Sequence, residues 1–312
     1  MQLSHSIKMM GTTIDIIIDS DKADEHIKTV CQQLEDYKNR FSANDMDSEL
    51  MEINNQAGIA PVKVDQELFY LIALGKKHSL STPSNLNIAI GPLVQTWRIG
   101  FADANVPEDK QIQEVLAVTD PNLIELDEGK SSVFLTKRGM KLDLGSIAKG
   151  YIADKIIDYL KKEAVASALI NLGGNVLVYG DNPKREDGSW YIGIQNPQKK
   201  RGENVGIVKV QNQSVVTSGI YERHLTFQGK DYHHIFDRYT GYPIDTEMAS
   251  LTIVADQSVD CEIWTTRLFG LPIIDAYMTI NETPGIEGII ITRDNRMLVS
   301  DGLQKDFQLL YS

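Results

Sequence analysis

The stretch Leu142-Asp143-Leu144-Gly145-Ser146-Ile147-Ala148-Lys149-Gly150-Tyr151 reads as an apolar strand end carrying an Asp, a turn of small residues, and a helix with a Lys inside its first turn. Such a junction brings unpaired backbone N–H groups, the positive end of a helix and an ammonium close to one point, where an anion such as phosphate binds. It is not a Walker loop, because the Gly-rich spacing and the Lys-Ser/Thr pair are missing. Gly145 and Gly150 also suit a tight strand-to-helix turn that binds nothing.

Upstream of this junction the pattern is mostly helical. Thr12 to Asp19 alternates and then runs apolar, as a half-buried strand does. Ala23 to Phe41 follows with Ile27, Val30, Leu34, Tyr37 and Phe41 at helical spacing. A short capped helix is expected after Asp47-Ser48, a longer one over Leu68 to Leu80, and another from about Pro107 to Val118. Downstream, a helix over Lys149 to Lys162 gives way to strands at Ala168–Asn171, Val176–Tyr179, Trp190–Gln195, Gly206–Gln211 and Ser214–Thr217. His224–Phe227 and Tyr232–Phe236 flank Gln228-Gly229-Lys230 as a hairpin, and Ile286–Thr292 with Met297–Ser300 form another. Between them lie a strand at Ser250–Ala255 and a helix over Glu262–Phe269. Hairpin strands mixed with separate helices predict an α+β fold with largely antiparallel sheets flanked by helices. No Pro/Gly/Ser linker divides the chain, so residues 1–312 are expected to form one unit, with two closely packed lobes and a cleft between them.

Composition narrows the function. The net charge of −12, with no compensating Lys/Arg cluster, argues against nucleic acid and anionic membrane surfaces as partners. A polyanionic cofactor remains possible, given a local positive site or a metal. No apolar run approaches the ~18 residues that cross a bilayer. The two cysteines, Cys31 and Cys261, lack metal-binding spacing and read as free thiols of a reducing compartment.

Other stretches are hard to explain by packing alone. Asn171-Leu172-Gly173-Gly174-Asn175 is a double-Gly turn between strands, and Thr217-Ser218-Gly219-Ile220-Tyr221-Glu222-Arg223 puts hydroxyls and a Gly at a strand end. Tyr232-His233-His234-Ile235-Phe236-Asp237 runs on to Thr240-Gly241-Tyr242-Pro243, and adjacent strand histidines face opposite ways, so at most one serves a given site. Glu262 and Thr266, four apart, share one helix face and offer oxygen ligands suited to Mg²⁺. Each of these also has a plain structural reading: a hairpin turn, a structural His, an exposed Glu beside a helix-packing Thr.

Taken in order, these stretches resemble the ApbE family of FAD:protein FMN transferases. The matching residues begin with Met10-Gly11-Thr12, Phe41-Ser42 with Asp47-Ser48-Glu49-Leu50, and Gly91-Pro92-Leu93-Val94 with Trp97. They continue through Leu142–Tyr151, Gly173-Gly174, Thr217-Ser218-Gly219 with Tyr221, and His234-Ile235 to Pro243. The resemblance implies Mg²⁺-dependent transfer of FMN from FAD to a Thr or Ser hydroxyl of an acceptor protein, forming a phosphoester and releasing AMP. It implies that Met10, Asn85, Leu86, Asn87, Asp143 and Lys149 contact FAD and that Phe236 lines the flavin site. By the same resemblance the Ser146 carbonyl, Glu262 and Thr266 hold Mg²⁺ with Thr265 beside them, Lys149 neutralises phosphate charge, and His234 lies near the reacting phosphate. An imidazole titrating near neutrality makes His234 the candidate general base for the acceptor hydroxyl.

The chain departs from the family pattern at several points. Glu262 stands where Asp is usual, with Asp260 as the alternative metal carboxylate. Asn87 and Asn175 replace acids, Asn44 replaces an aromatic, and Asp237-Arg238-Tyr239-Thr240-Gly241 replaces the Asp-Pro-Arg-Thr-Gly turn. Two other activities use the same contacts: an FAD pyrophosphatase releasing FMN and AMP, or a protein that binds FAD without reacting it. Many family members are exported lipoproteins acylated on a Cys ahead of Met-Gly-Thr, and residues 1–9 contain no Cys. A cytoplasmic protein is therefore expected, the alternative being an extracytoplasmic lipoprotein whose leader has been removed.

Overall fold

The computed structural model describes residues 1–310. In chain order its first half holds β1 (Gln2–Met9), β2 (Thr12–Asp19), α1 (Ala23–Phe41), α2 (Glu49–Asn55), β3 (Val62–Lys63), α3 (Gln66–Leu80), α4 (Gly91–Trp97), α5 (Asp109–Leu116), β4 (Ile124–Asp127) and β5 (Ser132–Leu135). Then come α6 (Ala148–Lys162), β6 (Ser167–Leu172), β7 (Asn175–Tyr179), β8 (Trp190–Gln195), β9 (Asn204–Val210), β10 (Ser214–Gly219), β11 (His224–Phe227) and β12 (Lys230–His233). The chain closes with β13 (Met248–Ala255), α7 (Ser258–Leu268), α8 (Ile273–Glu282), β14 (Ile286–Thr292), β15 (Met297–Val299) and β16 (Phe307–Leu309).

An eight-stranded sheet in the order β1-β2-β6-β7-β10-β13-β14-β15 organises the molecule, and each strand runs antiparallel to its neighbours. Alternation along β2 sends Ile14, Ile16 and Ile18 into a core shared with α1 (Val30, Leu34) and α6 (Ile152, Ile156). β13 is buried along its whole length because both its faces are covered. Leu251 and Ile253 meet α7 and α8, while Val254 joins Trp190 and Val208 from the three-stranded sheet β16-β9-β8.

Two expected strands differ in the structure. Leu142 to Leu144 is extended but joins no ladder: Leu142 N donates to Asn54 Oδ1 (2.7 Å), Asn54 Nδ2 donates to Leu142 O (3.0 Å), and Asp143 N donates to Ile88 O (2.9 Å). A side-chain amide thus takes the place of a partner strand. The hairpin turn is Gln228-Gly229, both with positive φ, so β12 starts at Lys230 and stops at His233 rather than reaching Phe236. It stops there because the His233 ring bonds Ile244 O (2.9 Å) and accepts from Ile235 N (3.3 Å), pulling the chain out of the ladder. Patterning did not reveal α4, α8 or the strands β1, β3, β4, β5 and β16. α8 leaves Ile274 and Met278 exposed and buries only Ala276 and Ile280, so it lacks a clean apolar stripe.

Candidate active site

The sheet's register gathers the glycine turns at one edge. Met10-Gly11 joins β1 to β2 and Gly173-Gly174 joins β6 to β7, each a two-residue turn with both residues at positive φ. Ile14 pairs with Leu172, so the two tips sit side by side, and a Cβ on Gly173 would meet Thr12 Oγ1 at 2.1 Å. Val216 pairs with Asn175, which carries Thr217 to Gly219 past β7 towards the same edge. Met10 is a bulky residue held in the left-handed region, a conformation that persists where its surroundings enforce it.

α6 and α7 cross beside this edge. A Cβ on Gly150 would fall 2.5 Å from Ser258 O, so glycine alone allows the approach. One turn later Asp154 accepts Ser258 N (2.7 Å) and Val259 N (2.9 Å), capping the start of α7 from α6. Burial lifts the Asp154 carboxyl to about 7 despite those two N–H donors.

This crossing sets the Glu262 carboxylate on the first turn of α6, where Oε2 accepts Gly150 N (2.7 Å). In a regular helix that N–H would reach Ser146 O; here Ser146 O accepts no backbone bond among the described residues. Burial raises the Glu262 carboxyl, while the Lys149 charge, the Gly150 N–H and the Asn175 amide favour its ionised form. Asn175 is itself buried; its Oδ1 accepts Ser258 Oγ (2.7 Å) and its Nδ2 finds no regular partner. Thr265 is buried and donates to Glu262 O (3.0 Å), whereas the half-buried Thr266 hydroxyl makes no hydrogen bond among the described residues. Asp260 lies in the first turn of α7, where its charge bears on Asp154.

The donor set fits a hard divalent cation. It offers one buried carboxylate, one open carbonyl and free hydroxyl oxygen, and Mg²⁺ completes such a shell with phosphate and water. Among the described residues no group of three or more His, Cys, Asp or Glu stands ready for a metal, so softer multi-His or Cys chemistry has no counterpart here.

His234 follows β12 directly. Its N and its Nδ1 both donate to Arg223 O, at 3.2 Å each, which leaves Nε2 as the acceptor nitrogen. Burial lowers His234 to about 4, with smaller contributions from the Arg223, His233 and Lys149 charges, so the ring is neutral at physiological pH. Asp143 Oδ1 accepts Gly145 N (2.8 Å); burial raises this carboxyl while that bond and the Arg223 charge pull it back. Lys149, Glu262, His234 and Asp143 are therefore brought together, and Arg223 joins them although sequence reasoning assigned it no role. Its only signal was its place at the end of the Thr217–Arg223 stretch.

The segment 85–87 is held in place by the loop after His234. Asn85 Nδ2 donates to Phe236 O (3.0 Å), and Arg238 Nη1 donates to Ser79 O (2.5 Å) and Leu86 O (2.9 Å). Leu86 is fully buried, and Asn87 spends its amide on Thr119 O (2.8 Å) and Ala89 N (2.9 Å). Phe236 packs against Trp97 with ring centroids 5.8 Å apart. A separate groove of about 730 Å³, lined by Asp36, Arg40, Asp47 and Glu52 among others, shares no residue with this site.

Fold and site together define an antiparallel α+β protein that gathers two cationic side chains, a neutral imidazole and a buried carboxylate where the turn end of a sheet meets a helix start. The chain belongs to the ApbE family, whose model matches residues 10–290. It is 41% identical to an FAD:protein FMN transferase of Klebsiella pneumoniae (strain 342), over 99% of this chain and 95% of that protein. It is 38% identical to one of Treponema pallidum (strain Nichols), over 89% of this chain and 79% of that protein. The ApbE protein of Thermotoga maritima superposes with a TM-score of 0.90 at 25% identity, covering 98% of this chain and 99% of that one. The apo flavinyl transferase ApbE of Pseudomonas stutzeri gives 0.84 at 22% identity, covering 98% and 96%, which bears on fold alone.

Proposed function

We propose that this chain transfers FMN from FAD to a Thr or Ser hydroxyl of an acceptor protein, with Mg²⁺ and with release of AMP. The family membership makes it a flavin transferase. The finer chemistry rests on one observation: Gly150 N–H turns from Ser146 O to Glu262, leaving an open carbonyl and a buried carboxylate beside Lys149. The acceptor oxygen bonds to the FMN phosphorus as the bond from that phosphorus to the oxygen shared with AMP breaks. The acceptor proton passes to His234 Nε2, because Nδ1 is already bound to Arg223 O and the buried ring is unprotonated. Lys149 neutralises phosphate charge. Glu262, Ser146 O and Thr266 would hold Mg²⁺, with Thr265 fixing the α7 backbone behind Glu262; the ion supplies Lewis-acid polarisation of the pyrophosphate.

The test is incubation with FAD, Mg²⁺ and an acceptor domain carrying a flavinylation motif, followed by in-gel flavin fluorescence after denaturation. A fluorescent acceptor band that EDTA abolishes is the expected result. FMN and AMP without a labelled acceptor would instead indicate a pyrophosphatase, and intact FAD would remove catalysis from the proposal.

A further inference from the structure

Arg223 is an exposed arginine with a fixed stem and an unengaged head. Among the described residues its guanidinium forms no ion pair, and its neighbour Glu222 is taken by Arg201 at 3.9 Å. The stem runs across Gly100, where a Cβ would fall 2.8 Å from Arg223 Cδ and where φ is +92°. The head reaches the Met10-Gly11 turn, with Nη2 3.7 Å from the place of a Cβ on Gly11. Gly100 therefore leaves room for the stem, and the head lies at ordinary contact distance from the Met10-Gly11 turn. Its backbone carbonyl meanwhile anchors His234 through two bonds of 3.2 Å.

The surroundings of the head are those of a polyanion site. Its charge reaches the Asp143 carboxyl and the His234 ring, and the Lys149 charge reaches His234 as well. A cation placed there without a carboxylate partner is kept available for a ligand. A planar guanidinium presents paired donors that match two phosphate oxygens, and a pinned stem loses less freedom on binding than a free one.

We propose that Arg223 binds the pyrophosphate of FAD from the Met10-Gly11 side of the site, as a second cation on the diphosphate beside Lys149. The inference rests on the flavin-transferase reading above. As the bond between the FMN phosphorus and the bridging oxygen breaks, the electron pair goes to the AMP phosphate, and a cation on the diphosphate stabilises that growing charge.

The experiment titrates FAD, ADP and riboflavin into the full chain and into R223A and R223K. Removing the side chain leaves the backbone carbonyl that holds His234, and an exposed, unpaired side chain contributes little to folding. R223A is expected to bind FAD and ADP roughly ten- to hundred-fold more weakly, as for a lost charge-assisted pair, with riboflavin binding and Tm unchanged. R223K restores part of the affinity, because it keeps the charge and loses the fork. Equal FAD and ADP affinities in parent and R223A would overturn the assignment while leaving the transferase reading intact. An equal loss for all three ligands with a lowered Tm would make Arg223 structural and overturn it too. A parent chain that binds neither FAD nor ADP would overturn both.

Discussion

Glu262 carries a carboxylate into a place with almost no water, and the cost of that burial explains its company. Lys149, the Gly150 N–H and the Asn175 amide all favour the charged form against desolvation. Asn175 suits this role better than the family's usual acid would, since a second carboxylate here would repel the first. One extra methylene relative to Asp lets Glu262 accept from Gly150 N across the helix crossing. Glu262→Gln keeps an acceptor for that N–H and removes the charge a divalent cation needs. The expected outcome is a loss of Mg²⁺-dependent transfer of roughly 100-fold with an unlowered Tm. Transfer by this variant at the parent rate across a Mg²⁺ titration would remove Glu262 from the metal site. Much at this scale was legible: the spacing of Glu262 and Thr266, the Lys149 position and the His234 pair all follow from sequence. The diversion of Gly150 N–H and the free Arg223 head were not, because each depends on an element distant in the chain.

Among the elements, the crossing of α6 and α7 places the site. Gly150 lets the helices touch, Asp154 caps α7 from α6, and Ser258 links that cap to Asn175. Ser214 Oγ donates to Ser258 Oγ (2.9 Å), tying the same joint to β10. Gly150→Ala drives a methyl into the Ser258 carbonyl and forces the helices apart. A stability loss of about 1–3 kcal/mol is expected from such overpacking, seen as a lower urea midpoint together with lost activity. A midpoint equal to the parent's would show that the helices can separate without cost. Helix boundaries such as Ala23–Phe41 were readable because their apolar period ends at a real helix end. The extended segment Leu142–Leu144 was misread as a strand because an amide and a loop carbonyl satisfy its backbone, and neither leaves a mark on periodicity.

Over the whole molecule, buried ionisable groups tie stability to pH. His78 and His234 are both lowered to about 4 from 6.5, chiefly by burial. Between those values the unfolded chain holds a proton on each ring that the native chain lacks, so acidification favours unfolding. Asp154, raised to about 7 from 3.8, works in the opposite sense, holding its proton when folded and releasing it when unfolded. A comparison against a single variant separates these contributions. His78 faces Arg267 and Lys77, and His78→Asn removes its titration. The Tm advantage of the parent over this variant is expected to shrink as pH falls from about 6.5 to about 4; an advantage independent of pH would refute the assignment.

Sequence alone determined the fold class, the order of most elements and the residues proposed here to handle a phosphate ester, because periodicity, turn chemistry and side-chain type are local properties of a chain. Tertiary structure alone decided which of those residues meet. Antiparallel register brings Met10-Gly11, Gly173-Gly174 and the end of β10 to one edge, although more than a hundred and fifty residues separate the first turn from the second. Close helix packing turns Gly150 N–H towards Glu262, and the short turn between β10 and β11 lays Arg223 across Gly100 and beside Gly11. Such contacts are set by the shape of the packed core, and no local pattern encodes a distance across it.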